Sequence, residues 1–309
     1  MSGGGERPGG STSEEPKVED PFAKTRMSLG SHIGELRTRV IRGTLGILVA
    51  FVACWLFQDT LILIAKEPHY IAMGWLEEDY VTQAEEKLAD DPSLKRTAYF
   101  VTSDPGDKRI RDFGKELIFI APAESFLFRL KVCLYLALII GAPVLLWQLW
   151  LFIAAGLYDR EQRGVLVYFP LSLFAFLVGV GFGYKVMVPY AIYFLNQGSI
   201  DFAFPTFSAA SYLKFFASLC LALGVVFQLP LVMSFLARAG MVEASTLASF
   251  RGHFIVGAFI FAAVLTPPDP FTQAMMGVPL IVLYEVGVLA ARLVTKSATP
   301  QVSSENGEE

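Results

Sequence analysis

Carboxylates standing beside arginines at the margins of long apolar runs are the residues of this sequence whose types and spacing permit chemistry. His32–Val40 (HIGELRTRV) places Glu35 four residues before Arg39, and Leu29, Ile33, Leu36 and Val40 recur at helical spacing opposite His32, Glu35 and Arg39. That pattern predicts an amphipathic helix lying on a membrane surface. Glu35 then has two readings: an i, i+4 pair with Arg39 worth a few tenths of a kcal/mol, or a carboxylate offered to an external cation.

A second acidic site follows Trp150–Glu161 (WLFIAAGLYDRE), where Asp159 and Glu161 fall just past an apolar run. A carboxylate there keeps some water yet feels a lower dielectric, a setting in which a guanidinium forms a bidentate pair; the plain alternative is a solvated loop acid beside Arg160 and Arg163. Gln228 and Glu285 lie inside apolar runs, where a polar side chain marks either a functional site or a helix–helix hydrogen bond. Asp269, in Thr266-Pro-Pro-Asp-Pro270, fits the N-terminus of the helix that follows.

The elements that must carry these residues are membrane helices. The chain has 309 residues, 54% hydrophobic and 17% charged, against about 25% charged in soluble domains. Its mean hydropathy is +0.50. A formal charge of −4 argues against a nucleic-acid partner, which calls for a basic surface. Cys54, Cys133 and Cys220 sit in apolar runs and read as small hydrophobes, not as a disulfide framework or a metal site. No cofactor is expected.

Against the ~20 residues needed to cross a bilayer, the runs are Val40–Phe57, Val132–Ala155 with a kink at Pro143, Val165–Val188, Phe215–Ala237, Phe254–Leu265 and Phe271–Leu293. In the third run Gly179, Gly181 and Gly183 are read as one face for close packing. The expected fold is an all-α polytopic membrane protein of six helices whose last two are short, cut by the proline-rich turn. Arginines and lysines flank the even-numbered loops and the tails, so both termini are expected in the cytoplasm. Residues 1–26 and 296–309 read as disordered cytoplasmic tails around a 27–295 membrane domain. Residues 66–125 read as an expanded first periplasmic loop, with a short helix over Glu77–Leu88 and a strand over Thr97–Thr102.

Five strings, taken in order, resemble the TatC family, the polytopic core subunit of the twin-arginine (Sec-independent) protein translocase. They are HIGELRTRV, APAESFLFRLKV at Ala121–Val132, APVLLWQLWLFIAAGLYDRE at Ala142–Glu161, FQLP at Phe227–Pro230 and AAVLTPPDPFTQ at Ala262–Gln273. The resemblance implies a glove-shaped, concave bundle in the plasma (inner) membrane, with a cytoplasmic site for the Arg-Arg pair of signal peptides on folded cargo. It implies that Glu35 and Glu161 receive those arginines, that Phe152 and Leu157 shape the adjoining apolar surface, and that Arg37 and Arg39 orient the carboxylates. It assigns Pro68, Thr266, Asp269 and Gln273 to structure and to docking TatA-like and TatB-like single-span subunits in an oligomeric complex driven by the proton-motive force. The sequence departs from the family at Gln228, where many relatives carry Glu; the amide keeps hydrogen bonding and cannot ionise. Glu285 remains as the expected buried carboxylate.

The rival reading is a secondary transporter with a midplane site at Gln228 and Glu285, against which the two halves of the chain show no similarity. An enzyme is disfavoured, since GxSxG, HExxH and Walker strings are all missing from the sequence.

Overall fold

The computed structural model describes residues 29–90, 116–155, 159–198, 206–266 and 269–298. The tails, the strand expected at Thr97–Thr102, Leu157 and the prolines at 267 and 268 lie outside the described residues.

Helix α1, Leu29–Leu56, is continuous, so the amphipathic segment and the first apolar run form one rod and not a surface helix followed by a span. Next come α2 (Gln58–Asp90), α3 (Glu124–Ile140), α4 (Ala142–Ala155), α5 (Asp159–Phe182), a π turn at Gly183–Met187 and α6 (Val188–Gln197). The remainder is α7 (Ala209–Val226), α8 (Leu229–Arg238), the short α9 (Ala244–Ser249), α10 (Arg251–Leu265) and α11 (Pro270–Ala298). The one β-bridge among the described residues pairs Ile118 with Ser208. By length and composition, four helical segments are able to cross a membrane: Ile33–Leu56, Val167–Gln197, Ala209–Arg238 and Pro270–Thr295. The pair α3 and α4, bent by 47°, gives a fifth candidate if taken as one broken span, and α10 is a shorter apolar helix.

Each interruption has a chemical cause. The bend expected at Pro143 falls at Gly141, because proline lacks the N–H that would continue the ladder and its ring crowds the carbonyl four residues back. Pro143 instead sits in the first turn of α4, where no N–H is needed. Gly141 also has no room for a side chain: a Cβ would meet the Ala137 carbonyl at 2.7 Å and the α1 backbone at Ile47 at 3.5 Å. The three glycines at the end of α5 and the start of the π turn do not share a face. Gly179 and Gly183 abut Leu223 and Cys220 of α7, whereas a Cβ on Gly181 would meet nothing within 4 Å, since positions two apart point away from each other.

The expectation that the last two helices are both short needs correction. Only α10 is short, at 15 residues or about 22 Å against ~30 Å of hydrocarbon. Helix α11 has 29 residues, about 43 Å, because Pro270 opens it from the first turn and does not cut it. The region from residue 66 is likewise no simple loop: α2 has 33 residues and carries a buried Pro68 inside it. The carbonyl that Pro68 leaves without a donor, that of Ile64, lies 2.8 Å from the Tyr184 hydroxyl. One residue on, Tyr212 donates to the Ala65 carbonyl at 2.6 Å.

Helix α7 is the hub. Leu213, Phe216, Leu219, Cys220 and Leu223 are all at most 2% exposed, packed with Val132 and Cys133 of α3 and with Met187 and Val188. Helix α1 is peripheral, and Leu45, Leu48, Val49 and Val52 turn outward as a face for lipid. The bundle thus has a cap end, where the start of α2 and residues 116–124, 206–210, 266 and 269–270 gather, and a tail end, where α1 begins and α11 finishes.

Candidate functional site

The packing of α1 on α4 decides where the predicted acidic residues stand. Gly43 of α1 faces the Leu145 side chain, Gly46 faces Val144, and Ile47 and Ala50 face Gly141, so the two helices run antiparallel. Moving toward the start of α1 therefore means moving toward Phe152 and Ala155 at the end of α4. Helix α5 packs against α4 and starts at Asp159, after three intervening residues. Glu35, the half-buried Phe152 and the α5 turn bearing Glu161 accordingly share the tail end; the Glu161 side chain lies outside the described residues.

An aromatic cluster that sequence reasoning passed over fixes this corner. The Trp150 ring stacks on Tyr168 of α5 with centroids 5.4 Å apart, and Phe235 of α8 meets both edge-on at 5.3 and 5.4 Å. Trp150, Tyr168 and Phe235 are all buried, and such pairs contribute about 0.5–1.5 kcal/mol beyond area burial. Periodicity alone cannot show that three aromatics from three separate runs converge.

Glu35 accepts from Arg39 Nη2 at 2.6 Å and from Nε at 3.2 Å on the same oxygen, Oε1. The plain i, i+4 pair is therefore made, and it engages only one carboxylate oxygen. Arg37, two positions from Glu35, is exposed on a different face of the helix.

The other predicted residues are drawn into internal structure. Gln228 and Ser172 bond reciprocally: the serine hydroxyl donates to the amide oxygen, and Gln228 Nε2 donates to the Ser172 carbonyl at 3.0 Å, joining α5 to the break between α7 and α8. Glu285 is not the buried, lone carboxylate expected. Its side chain is 46% exposed and faces Arg251, with Nε to Oε1 at 2.7 Å and Nη2 to Oε2 at 2.8 Å, because short α10 starts level with the middle of α11. Gln228 and Glu285 thus serve different contacts and share no midplane site.

At the cap end, Asp269 caps α11: Oδ1 accepts from the Thr272 amide at 2.7 Å and Oδ2 from the Thr272 hydroxyl. Thr266 donates to Ala262 O at 2.9 Å, and Gln273 Nε2 donates to Phe259 O at 3.1 Å, tying α11 to α10. The residue missed here is Glu124, 9% exposed. It accepts from the Ile120, Ala121 and Ala210 amides at 2.6, 3.2 and 3.0 Å and from the Ser208 hydroxyl at 2.8 Å, joining the segment before α3 to the start of α7. Its place inside the quoted string APAESFLFRLKV was the available signal. Glu67 receives Lys185 at 2.8 Å and shares the Tyr184 hydroxyl at 2.7 Å, and these bonds hold its pKa below the ordinary carboxylate range. No cluster of His, Cys, Asp and Glu suited to a metal occurs among the described residues.

Comparison with known proteins places this geometry. The family described as Sec-independent protein translocase protein (TatC) matches residues 31–279. The chain belongs to the TatC family. It is 35% identical over 265 residues to the TatC protein of Desulforapulum autotrophicum, covering 86% of this chain and 84% of that one. A Helicobacter pylori TatC protein is 32% identical over 266 residues, covering 86% and 88%. The crystal structure of the twin arginine translocase receptor TatC superposes with a TM-score of 0.66 at 29% identity, covering 85% of this chain and 99% of that one. This TatC-family chain is therefore a membrane-embedded core subunit of a protein translocase, a transport component and not a member of an enzyme family.

Proposed function

We propose that the tail end is the cytoplasmic receptor surface for twin-arginine signal peptides on folded cargo. Glu35 and Glu161 each take one guanidinium, with Phe152 and Leu157 flanking the peptide. The observation that carries this reading is the contrast in carboxylate use. Glu35 holds one flexible, same-helix partner on a single oxygen, so an incoming arginine can exchange with Arg39 at little cost in structure. A planar guanidinium meets a carboxylate bidentately, which a lysine cannot do. In this reading the chain sits in the inner membrane with both termini cytoplasmic. Helix α10 is the fifth of six crossings in a concave bundle and stretches the bilayer thin. TatA-like and TatB-like single-span subunits complete an oligomeric complex, and transport draws on the proton-motive force.

The test is photo-crosslinking of a twin-arginine peptide to the detergent-solubilised protein. Capture should weaken markedly in Glu161→Ala and further in the Glu35→Ala, Glu161→Ala double variant, and replacing both peptide arginines by lysine should abolish it. Undiminished capture by the double variant overturns the assignment.

A further inference from the structure

We infer that a pocket at the cap end, walled by Lys66 and Arg129, binds the phosphate of an anionic phospholipid from the adjacent leaflet. The cavity is about 250 Å³ and lies between the start of α2, residues 116–119 and the first turns of α3. Its polar lining is Lys66, Arg129, Ser125 and Glu116; Phe119, Phe128 and Ile62 supply most of the rest.

The two cations are held loosely. Lys66 Nζ is 3.5 Å from Glu116 and Arg129 Nη1 is 3.8 Å from Asp59, both longer than the ~2.7–2.9 Å of a charge-assisted hydrogen bond. The acids are the solvent-facing members, with side chains 72% and 87% exposed. Lys66 is instead fixed from below, 18% exposed with its ammonium 5.2 Å from the centre of the Tyr70 ring. A phosphodiester entering between the two cations gains the short contacts that Glu116 and Asp59 do not make.

Depth and surroundings select a lipid as the source. Arg129 stands three residues before the apolar run that begins at Val132, about 5 Å along the helix axis, which is headgroup level. Beside it Leu63, Phe119, Ile120 and Phe126 are exposed, and three of these are aromatic or branched side chains in a short stretch preceding and opening α3. A soluble globule would hide such a cluster; next to a bilayer it meets acyl chains while the cations meet phosphate.

The test reconstitutes the full chain in phosphatidylcholine bilayers containing a trace of photoreactive phosphatidylglycerol, or of photoreactive phosphatidylcholine as the uncharged comparison. Expected is labelling of peptides spanning residues 117–129 by the glycerol lipid several-fold above the choline lipid. That preference should vanish in Lys66→Gln, Arg129→Gln, persist in Arg129→Lys and rise in Glu116→Gln, which removes the competing carboxylate. Because the last two variants keep or raise the positive charge, they read the site even where the double variant folds poorly. Equal labelling by the two lipids, or a Glu116→Gln variant with no gain, overturns the proposal. Displacement of the label by inorganic phosphate overturns the lipid assignment in favour of a free-anion site.

Discussion

Glu124, Asp269 and Glu67 of the cap end and Glu35 of the tail end are used in opposite ways. At the cap end Glu124 meets four donors, Asp269 closes the first turn of α11, and Glu67 is claimed by Lys185 and Tyr184. At the tail end Glu35 has one arginine from its own helix, and rigidity comes from the Trp150, Tyr168 and Phe235 rings. A carboxylate saturated by backbone amides builds structure, because displacing any donor leaves a buried N–H unpaired. A carboxylate with one side-chain partner is the kind that a ligand recruits. Glu35 is therefore an acid suited to receiving a cationic peptide.

The strongest way to break this comparison is Glu124→Ala. It strips four donors of their acceptor and should give the largest fall in melting temperature of any single carboxylate replacement, read in detergent by tryptophan fluorescence. Peptide capture at the tail end of the surviving folded fraction should be unchanged. A melting temperature equal to that of the parent would show that the cap end is not held in this way.

Asp269→Ala should cost about 1 kcal/mol through the lost helix cap, with Asp269→Asn recovering much of it, as seen in equilibrium unfolding. The Ser172 and Gln228 contact is of similar rank: Ser172→Ala should destabilise by about 1 kcal/mol, and Gln228→Leu should impair cargo transport if the neutral amide is required to pin α5 to α8. Equal transport by Gln228→Leu removes that requirement.

Acid sharpens the contrast further. The folded-state pKa of Glu67 is depressed by Lys185 first and Tyr184 second, so its contribution is complete above the ordinary carboxylate pKa and fades as pH falls through the lowered value. Glu67→Gln should therefore flatten the acid-side loss of thermal stability while leaving the neutral-to-alkaline side nearly parallel to the parent. A Glu67→Gln protein that loses stability in acid as steeply as the parent would remove Glu67 from the account.

The smallest effect on stability belongs to Arg39→Gln, a few tenths of a kcal/mol, since an i, i+4 pair on a helix surface contributes little. Its effect on peptide capture should exceed its effect on melting, and the salt dependence of capture should change. The reverse order would place Glu35 among the structural acids of the cap end.

Legibility followed interaction range. The apolar runs, the short α10 and the cap at Asp269 were readable because each depends on neighbours within a few turns. Glu35 and Arg39 were readable for the same reason. The uninterrupted α1, the full length of α11 and the bend at Gly141 were displaced from expectation by packing or by the first-turn tolerance of proline. Glu285 was misread because its partner, Arg251, is 34 residues away. Glu124 went unremarked because its donors come from both sides of the chain, up to 86 residues distant.

The sequence by itself determined that lipid is the solvent, where the apolar runs lie, and which acids stand near their margins, since hydropathy and backbone chemistry are local properties. Only the tertiary structure decided which of those acids are saturated and which stay available. That outcome depends on which donors the antiparallel packing of α1, α4, α5 and α7 delivers to each end, and no spacing along the chain encodes it.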